Sequence, residues 1–269
     1  MKTFDQNLDS KSLDLYSQGI QRVPRSAWQR IHLQQLNLAD NQLTQLPEQI
    51  GNLTKLQMLD LGHNELISLP ESLFKLKSLK FLYLSNNHFR SVSENIGNLK
   101  SLIYLNITDN QLSSIPESIG KLIKLVELRL YNNQLRSLPD SIGKLKSLRE
   151  LHVMNNSLTT LPESIGNLQH LNKLILKGNA ISSLPESLGS AEQLTDLDLR
   201  LNRLTSLPDS IGELKKLRFL DLRANRLPSL PAGIAELDKL EKLDLRWNKS
   251  LSVPRWLKHL SRRGCIVYT

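Results

Sequence analysis

The sequence is poor in cysteine, in aromatic residues and in long apolar runs. Its single cysteine, Cys265, excludes a disulfide within the 269-residue chain and fits a reducing compartment. No window reaches the roughly 18 consecutive apolar residues of a membrane-spanning helix. The N-terminal stretch MKTFDQNLDSKSLDLYSQG has no apolar signal-peptide core. We therefore expect a cytoplasmic protein without a membrane span, although a secretion signal that lacks an apolar core would leave no such trace.

Motifs that carry catalysis or bind cofactors are also missing. The chain has no glycine-rich phosphate loop, no G-x-S-x-G, no H-E-x-x-H and no C-x-x-C. Its six histidines are scattered. His63 and His88 could approach each other near Asp40 and Asp109, and polar surface explains them better than a metal site. These absences predict a non-enzymatic protein with no catalytic residue, no cofactor and no metal.

What the sequence does contain is a repeat of 23 residues. Residues 125–147 read LVELRLYNNQLRSLPDSIGKLKS, and residues 148–170 read LRELHVMNNSLTTLPESIGNLQH. The shared pattern is L-x-x-L-x-L-x-x-N-x-L-x-x-L-P-x-x-I-G-x-L-x-x. Ten such repeats follow one another, and they begin at Leu33, Leu56, Leu79, Leu102, Leu125, Leu148, Leu171, Leu194, Leu217 and Leu240. A regular repeat of this length predicts an elongated solenoid.

Each position of the repeat has a structural interpretation. The segment L-x-x-L-x-L alternates with period two, so it predicts a short strand whose leucines face the core. The asparagine at position 9 has donors and an acceptor for the backbone groups that turn out of the strand. The proline at position 15 disfavours sheet pairing on the return side, where short helical turns or extended chain are expected.

These repeats resemble leucine-rich repeats of the 23-residue type. That type is found in intracellular Ras-binding scaffold proteins, Scribble-type polarity proteins, plant Ras-group repeat proteins and many bacterial proteins. The resemblance implies an α/β right-handed solenoid, a horseshoe with a parallel β-sheet on its concave face and short 3-10 or extended segments on its convex side. It also implies a partner-binding concave face, while leaving the partner open.

The chain reads as one continuous domain with capped ends. Residues 1–32 hold an N-terminal cap and a degenerate repeat, residues 33–253 hold the ten repeats, and residues 254–269 form a C-terminal cap. In that cap we expect a helix between Pro254 and Gly264, followed by a final strand at CIVYT. Cys265 is expected to be a buried cap residue. Caps are needed because an open solenoid would otherwise expose its last core layer.

The outward strand positions 3, 5 and 7 predict a binding surface, which we call the concave patch. Seven of the 13 aromatic residues fall on outward positions when Trp247, at position 8, is counted with them. Aromatic residues, Met and Arg are the types enriched at protein interfaces. The alternative is that aromatic residues simply suit strands and stack on one another. The concave patch consists of Met58, Phe81, Tyr83, Tyr104, Arg129, Tyr131, His152, Met154 and Ile175.

A second, charged patch lies further along the same face. It contains Lys177, Arg200, Arg223, Arg246 and Trp247, with Asp198, Asp221 and Asp244 two residues before the arginines. We favour a salt-bridge lattice over a site for an acidic partner, because each arginine has an aspartate at hand.

The net charge of +9 raises the question of a polyanionic partner. Lysines on the return side are matched by an acidic column at position 16, so we interpret that side as a mixed-charge surface and expect no nucleic-acid partner. The sequence thus predicts a monomeric scaffold or signalling module that binds a protein on its concave face. The alternative is a secreted bacterial effector that binds a host signalling protein, such as a component of a small-GTPase pathway.

Overall fold

The computed structural model describes residues 10–269, so the first nine residues of the predicted N-terminal cap lie outside it. The described residues form one open sheet of 12 parallel strands that follow one another in chain order. The strands are β1 Ser12–Asp14, β2 Gln35–Asn37, β3 Met58–Asp60, β4 Phe81–Tyr83, β5 Tyr104–Asn106, β6 Glu127–Arg129, β7 Glu150–His152, β8 Lys173–Ile175, β9 Asp196–Asp198, β10 Phe219–Asp221, β11 Lys242–Asp244 and β12 Ile266–Tyr268.

Short 3-10 turns lie on the opposite side of the degenerate repeat and of the first nine regular repeats, as expected from the proline pattern. They span Arg25–Gln29, Glu48–Asn52, Glu71–Lys75, Glu94–Asn98, Glu117–Lys121, Asp140–Lys144, Glu163–Asn167, Glu186–Ser190, Asp209–Glu213 and Ala232–Glu236. The single α-helix of the described residues is α1, Leu257–Arg262. Within residues 10–269, no helix is long and apolar enough to cross a membrane. The predicted solenoid fold is confirmed.

Leucine stacking explains why the strands pair without any shift in register. Leu105 of β5 is the direct partner of Leu128 in β6, which in turn pairs with Leu151 in β7. All three side chains are fully buried. A shift by one residue would turn each leucine toward water and bury its polar neighbour. The 23-residue period therefore fixes the register of the whole sheet.

The asparagine at position 9 satisfies the buried backbone where each strand ends. The side-chain amide of Asn133 donates to the carbonyl oxygens of Ile107 and Leu130, at 2.8 and 3.0 Å. Its carbonyl oxygen accepts from the backbone N–H of Leu112 at 2.9 Å. Ile107 and Leu112 belong to the preceding repeat, so each asparagine ties two repeats together. These residues are structural, as the sequence predicted.

The residue before each asparagine adopts a left-handed backbone conformation. In the early repeats this position holds residues that tolerate it, such as Asp109, Asn132 and Asn155, with φ of 54°, 55° and 53°. In the last three repeats, Leu201, Ala224 and Trp247 take the same conformation, with φ of 58°, 53° and 66°. Position 8 therefore stores backbone strain near the C-terminal end of the solenoid.

Glycine at position 19 allows close contact between successive turns in most repeats. A Cβ atom added to Gly120 would lie 2.5 Å from the backbone oxygen of Ser141 in the next repeat. Phe74 occupies this position in the second repeat and is buried. Together with Phe89 and Ser93, which also depart from the repeat pattern, it lines a convex-side cavity of about 180 Å³.

Both ends of the described core are covered. Trp28 is 8% exposed and packs with Leu13, Leu15 and Ala27 at the N-terminal end. At the other end, α1 buries Leu257 and Leu260 over the last repeat. Arg263 fastens this cap to the solenoid by donating to the Asp238 carboxylate and to the carbonyl of Ala235.

Replacing Asn133 by alanine should destabilise the protein by about 2–5 kcal/mol, because it leaves the buried N–H of Leu112 and the carbonyl of Ile107 without partners. The measurement is urea unfolding followed by circular dichroism. Gln134→Ala, at the next residue, is the control and should change stability by less than about 0.5 kcal/mol. Equal stability of the two variants would contradict a structural role for the asparagine column.

Replacing Ala224 by asparagine should stabilise the protein by roughly 0.5–1 kcal/mol, since asparagine adopts the left-handed conformation at lower cost. Ser229→Asn, at an exposed position of the same repeat, serves as the control. A stability gain that is equal in the two variants, in the same unfolding experiment, would show that backbone strain at position 8 is not the cause.

Candidate protein-binding surface

The strands hold the concave patch in a fixed array. In β3 and β5 to β10 the central leucine or its equivalent is buried and the two flanking residues are partly exposed; β4 differs only in that Phe81 is more exposed. All nine residues of the concave patch are partly or largely exposed. Adjacent strands lie about 4.8 Å apart, so neighbouring outward side chains touch. The structure therefore brings the nine predicted residues together on one surface.

An aromatic cluster forms the centre of this surface. The rings of Tyr83 and Tyr104 lie 5.0 Å apart with an interplanar angle of 39°. The guanidinium of Arg129 lies 5.7 Å from the centre of the Tyr104 ring, within cation–π range. Phe81 pairs with Tyr104 across the strands and is 37% exposed. The tilted rings of Tyr83 and Tyr104 contact each other, as the strand-propensity interpretation predicts, and the cluster still presents apolar surface to solvent.

Burial raises the pKa of the two tyrosine hydroxyls in this cluster. Desolvation raises the pKa of Tyr83, and the negative charges of Asp60 and Glu127 raise it further. Desolvation also raises the pKa of Tyr104, against the opposing charge of Arg129. Both tyrosines are therefore neutral hydroxyls at physiological pH, able to donate and accept hydrogen bonds at an interface.

A network of charged side chains borders the aromatic cluster. Arg129 donates to Glu127 on its own strand, and His152 Nε2 lies 3.0 Å from the Glu150 carboxylate. Lys173 donates to the other oxygen of Glu150 at 3.0 Å. Burial alone raises the pKa of Glu150, but these hydrogen bonds outweigh it and the pKa is lowered. The patch thus has an aromatic half and a hydrogen-bonded polar half.

The glutamates and Lys173 were not among the predicted site residues. Their outward positions follow from the repeat, whereas their pairing with Arg129 and His152 depends on side-chain conformations. The signal that would have identified them is the coincidence of opposite charges at positions 3 and 5 of one repeat and at position 3 of adjacent repeats.

Part of this network has the ligand types of a metal site. Glu127, Glu150 and His152 each offer one ligand atom, and the three atoms lie within 4.8 Å of one another. Glu127, however, is already paired with Arg129, and Glu150 is already paired with Lys173. A divalent ion would have to displace these partners, so we interpret the group as an ion-pair network.

Asp60 is a desolvated carboxylate at the edge of the concave patch. It accepts a hydrogen bond from the backbone N–H of Gly62 at 2.9 Å. Desolvation raises its pKa in spite of this bond. At the same repeat position, Asn37 and Asn106 accept the equivalent bonds from Ala39 and Thr108. The repeat therefore accommodates a neutral amide where Asp60 holds a charge.

Replacing Asp60 by asparagine should stabilise the protein at neutral pH, because the bond to Gly62 is kept and the buried charge is removed. Because the folded-state pKa of Asp60 is raised, ionisation of Asp60 lowers the free energy of unfolding of the wild type at neutral pH. The stability difference should therefore narrow as the pH falls, and vanish below about pH 4, where the carboxyl is protonated in both states.

The measurement is the urea midpoint of both proteins between neutral and acidic pH. Asp14→Asn is the control, because Asp14 occupies the same repeat position in β1 but is exposed, and accepts the bond from Tyr16. A difference that is independent of pH would argue against desolvation of Asp60.

The second predicted patch forms a continuous salt-bridge ladder. Arg223 lies 2.6 Å from Asp221 and 3.4 Å from Asp244, which is fully buried. Burial alone raises the pKa of Asp244, but hydrogen bonds from Arg246 and the charges of both arginines lower it. The ladder alternates in sign along the solenoid, in the order Asp198, Arg200, Asp221, Arg223, Asp244 and Arg246. The structure thus contains the lattice that the sequence favoured.

The two ends of the ladder differ. At one end Lys177 lies near Asp198, whose pKa is raised by burial in spite of the positive charges of Arg200 and Lys177. At the other end Arg246 lies over the rings of Tyr268 and Trp247, at 4.7 and 5.6 Å from their centres. Tyr268 comes from β12, so the C-terminal strand adds a ring that the repeat pattern did not predict.

Comparisons with known proteins identify the family. A model described as a leucine-rich repeat region matches residues 13–87 and 73–159, and a leucine rich repeat model matches residues 146–200 and 192–251. The chain belongs to the leucine-rich repeat family. No curated protein matches the sequence.

Solved structures with the same fold come from bacteria and plants. A leucine-rich repeat protein of Leptospira interrogans is 27% identical, with 98% of this chain and 97% of that chain covered and a TM-score of 0.51. The functional domain of InlJ from Listeria monocytogenes is 25% identical, with coverages of 90% and 52% and a TM-score of 0.75.

A plant receptor ectodomain is similar as well. The ectodomain of the receptor kinase GASSHO1/SCHENGEN3 from Arabidopsis thaliana, solved in complex with CASPARIAN STRIP INTEGRITY FACTOR 2, is 32% identical. The TM-score is 0.74, and the match covers 92% of this chain but 33% of the ectodomain. This chain thus spans a third of the plant ectodomain and about half of the InlJ domain. Leucine-rich repeat solenoids of this kind are typical protein-binding modules.

Proposed function

We propose that this protein is a non-enzymatic binding module whose protein partner lies on the concave patch. The observation that carries the proposal is the cluster of Phe81, Tyr83 and Tyr104 beside Arg129, on a surface of a sheet that is otherwise largely polar. Large amphipathic rings and arginine are the residues that most often dominate the free energy of protein association.

The sheet supports binding by holding these side chains in place before the partner arrives. The strands β3 to β8 cover about 24 Å along the solenoid, room enough for a standard interface of about 800 Å² per partner. Rings that are already packed together lose little conformational entropy on association. The charged network around Glu150 would then form the polar rim of the interface.

A double substitution, Tyr83→Ala with Tyr104→Ala, should weaken partner binding about tenfold or more, because it removes the centre of the cluster. Proteins captured from native lysate by the wild type and by the variant would be identified by mass spectrometry, and the affinity of the captured protein then measured directly. Unchanged circular dichroism would show that the fold is intact.

The matched control is Tyr16→Ala with Phe219→Ala, which removes two outward-facing aromatic side chains that lie outside the concave patch. It should retain the partner. A partner bound equally well by wild type and by the Tyr83 and Tyr104 variant would place the site elsewhere, on the salt-bridge ladder or the outer surface.

A further inference from the structure

One lateral edge of the solenoid, outside the concave patch, carries a surplus of positive charge. We call it the basic edge, residues 52–57, 75–80, 98–103, 121–126 and 144–149. These segments connect each 3-10 turn to the following strand. Because the strands are parallel, all five connections lie at the same edge of the sheet. The five segments contain ten Lys or Arg residues and no Asp or Glu.

The sequence led us to interpret these lysines as part of a mixed-charge surface. The structure refines this interpretation for the basic edge. Among the ion pairs of residues 10–269, none involves any of its ten cations. The acidic residues at position 16 instead cap the neighbouring turns, as Glu48 does by accepting from Ser72 N–H at 2.9 Å. Hydrogen bonds from Ser72 and Ser141 lower the pKa of Glu48 and Glu117, and the nearby charges of Lys75 and Lys144 lower it further.

The same edge is balanced further along the solenoid. The equivalent segments 190–195, 213–218 and 236–241 hold four Lys or Arg residues and five Asp or Glu residues. There, Lys215 pairs with Glu236 at 3.8 Å and Arg218 with Glu241 at 2.7 Å. The surplus of positive charge is therefore confined to one half of the edge.

Unpaired cations converge at the end of the basic edge. Lys124, Lys146 and Arg149 surround a shallow recess of about 420 Å³, together with His170 of the next repeat. His170 Nδ1 lies 3.0 Å from the backbone oxygen of Lys146, which leaves Nε2 free. The apolar side chains of Ile103 and Val126 also line the recess. Its cationic lining fits an anionic, phosphate-bearing group.

An exposed isoleucine favours an anionic bilayer over other polyanions as the partner of this edge. Ile123 is 54% exposed and occupies the same repeat position as Lys77, Lys100 and Lys146. Ile31, 55% exposed, occupies this position in the degenerate repeat. Apolar tips among lysines suit a membrane surface, into which isoleucine inserts while lysines contact headgroups. The five segments contain no aromatic residue on which nucleic-acid bases could stack.

We propose that the basic edge docks the protein on a bilayer rich in anionic phospholipids. Equivalent side chains of successive repeats line up along one edge, so several lysines reach a flat surface together. The concave patch lies on a different face and stays open to its protein partner while the edge is docked.

The test is sedimentation of the purified protein with vesicles of phosphatidylcholine alone, or of phosphatidylcholine and phosphatidylserine in equal amounts. Wild type should bind the vesicles that contain phosphatidylserine, and the binding should weaken as salt is added. The variant Lys100→Gln/Lys124→Gln/Lys146→Gln should bind on the order of 100-fold more weakly, at roughly fivefold for each of the three lysines removed near the surface.

The chain offers a control with the same change in net charge. Lys215→Gln/Lys216→Gln/Lys239→Gln removes three lysines from equivalent positions on the balanced half of the edge, and it should bind vesicles like wild type. Ile123→Ser should weaken vesicle binding several-fold without changing its dependence on salt. Tyr83→Ala with Tyr104→Ala should leave vesicle binding unchanged, which separates this test from that of the concave patch.

Other outcomes would overturn the proposal. These are equal binding to both kinds of vesicle, no binding to either, or equal losses in the two triple variants. Unchanged vesicle binding by Ile123→Ser would remove the basis for choosing a bilayer. Tighter binding at the same salt concentration to double-stranded DNA or to polyglutamate would assign the edge to nucleic acid or to an acidic protein instead.

Discussion

The structure depends on one asparagine amide per repeat. Each strand is only three residues long, and the chain then leaves the sheet through a left-handed residue, so backbone groups inside the solenoid lose their sheet partners. A buried N–H or C=O without a partner costs about 1–3 kcal/mol. Asn133 and its equivalents supply those partners in both their own repeat and the preceding one. Leucine burial drives the collapse. The asparagines allow such short strands in a buried core because they provide hydrogen-bond partners for the backbone groups that the strands leave unpaired.

This constraint gives the protein surfaces of distinct character. Because every repeat is held in the same register, a residue type chosen at one position becomes a column, and a run of similar choices becomes a patch. Aromatic residues at positions 3 and 5 of β4 and at position 3 of β5 thus become a cluster of neighbouring rings. Lysines at positions 20 to 23 become a charged edge. The concave patch and the basic edge are independent because they occupy different columns of the same repeats.

Three residues at position 8 depart from the repeat pattern and hold a strained backbone conformation. Leu201, Ala224 and Trp247 hold a left-handed conformation that the other regular repeats give to asparagine, aspartate, histidine or glycine. Leu201 and Trp247 are 51% and 66% exposed, so core packing does not explain their size. The solenoid tolerates this strain because the hydrogen bonds of Asn202 and Asn248 fix the chain at the next residue.

The sequence by itself determined the solenoid, the order and register of the strands, the role of the asparagines and the face on which each residue lies. It could do so because local periodicity and burial repeat identically in ten segments, so each repeat confirms the interpretation of the others. Only the tertiary structure decided which charged side chains pair. Glu127 and Glu150 joined the concave network through Arg129 and His152 of their own strands. Lys173 joined it through Glu150 of the preceding repeat, and Tyr268 joined the salt-bridge ladder through β12. These contacts depend on side-chain conformations, which the repeat pattern does not specify. The same reason explains the basic edge. Whether a lysine meets a carboxylate depends on side-chain geometry between repeats, which sequence periodicity does not specify.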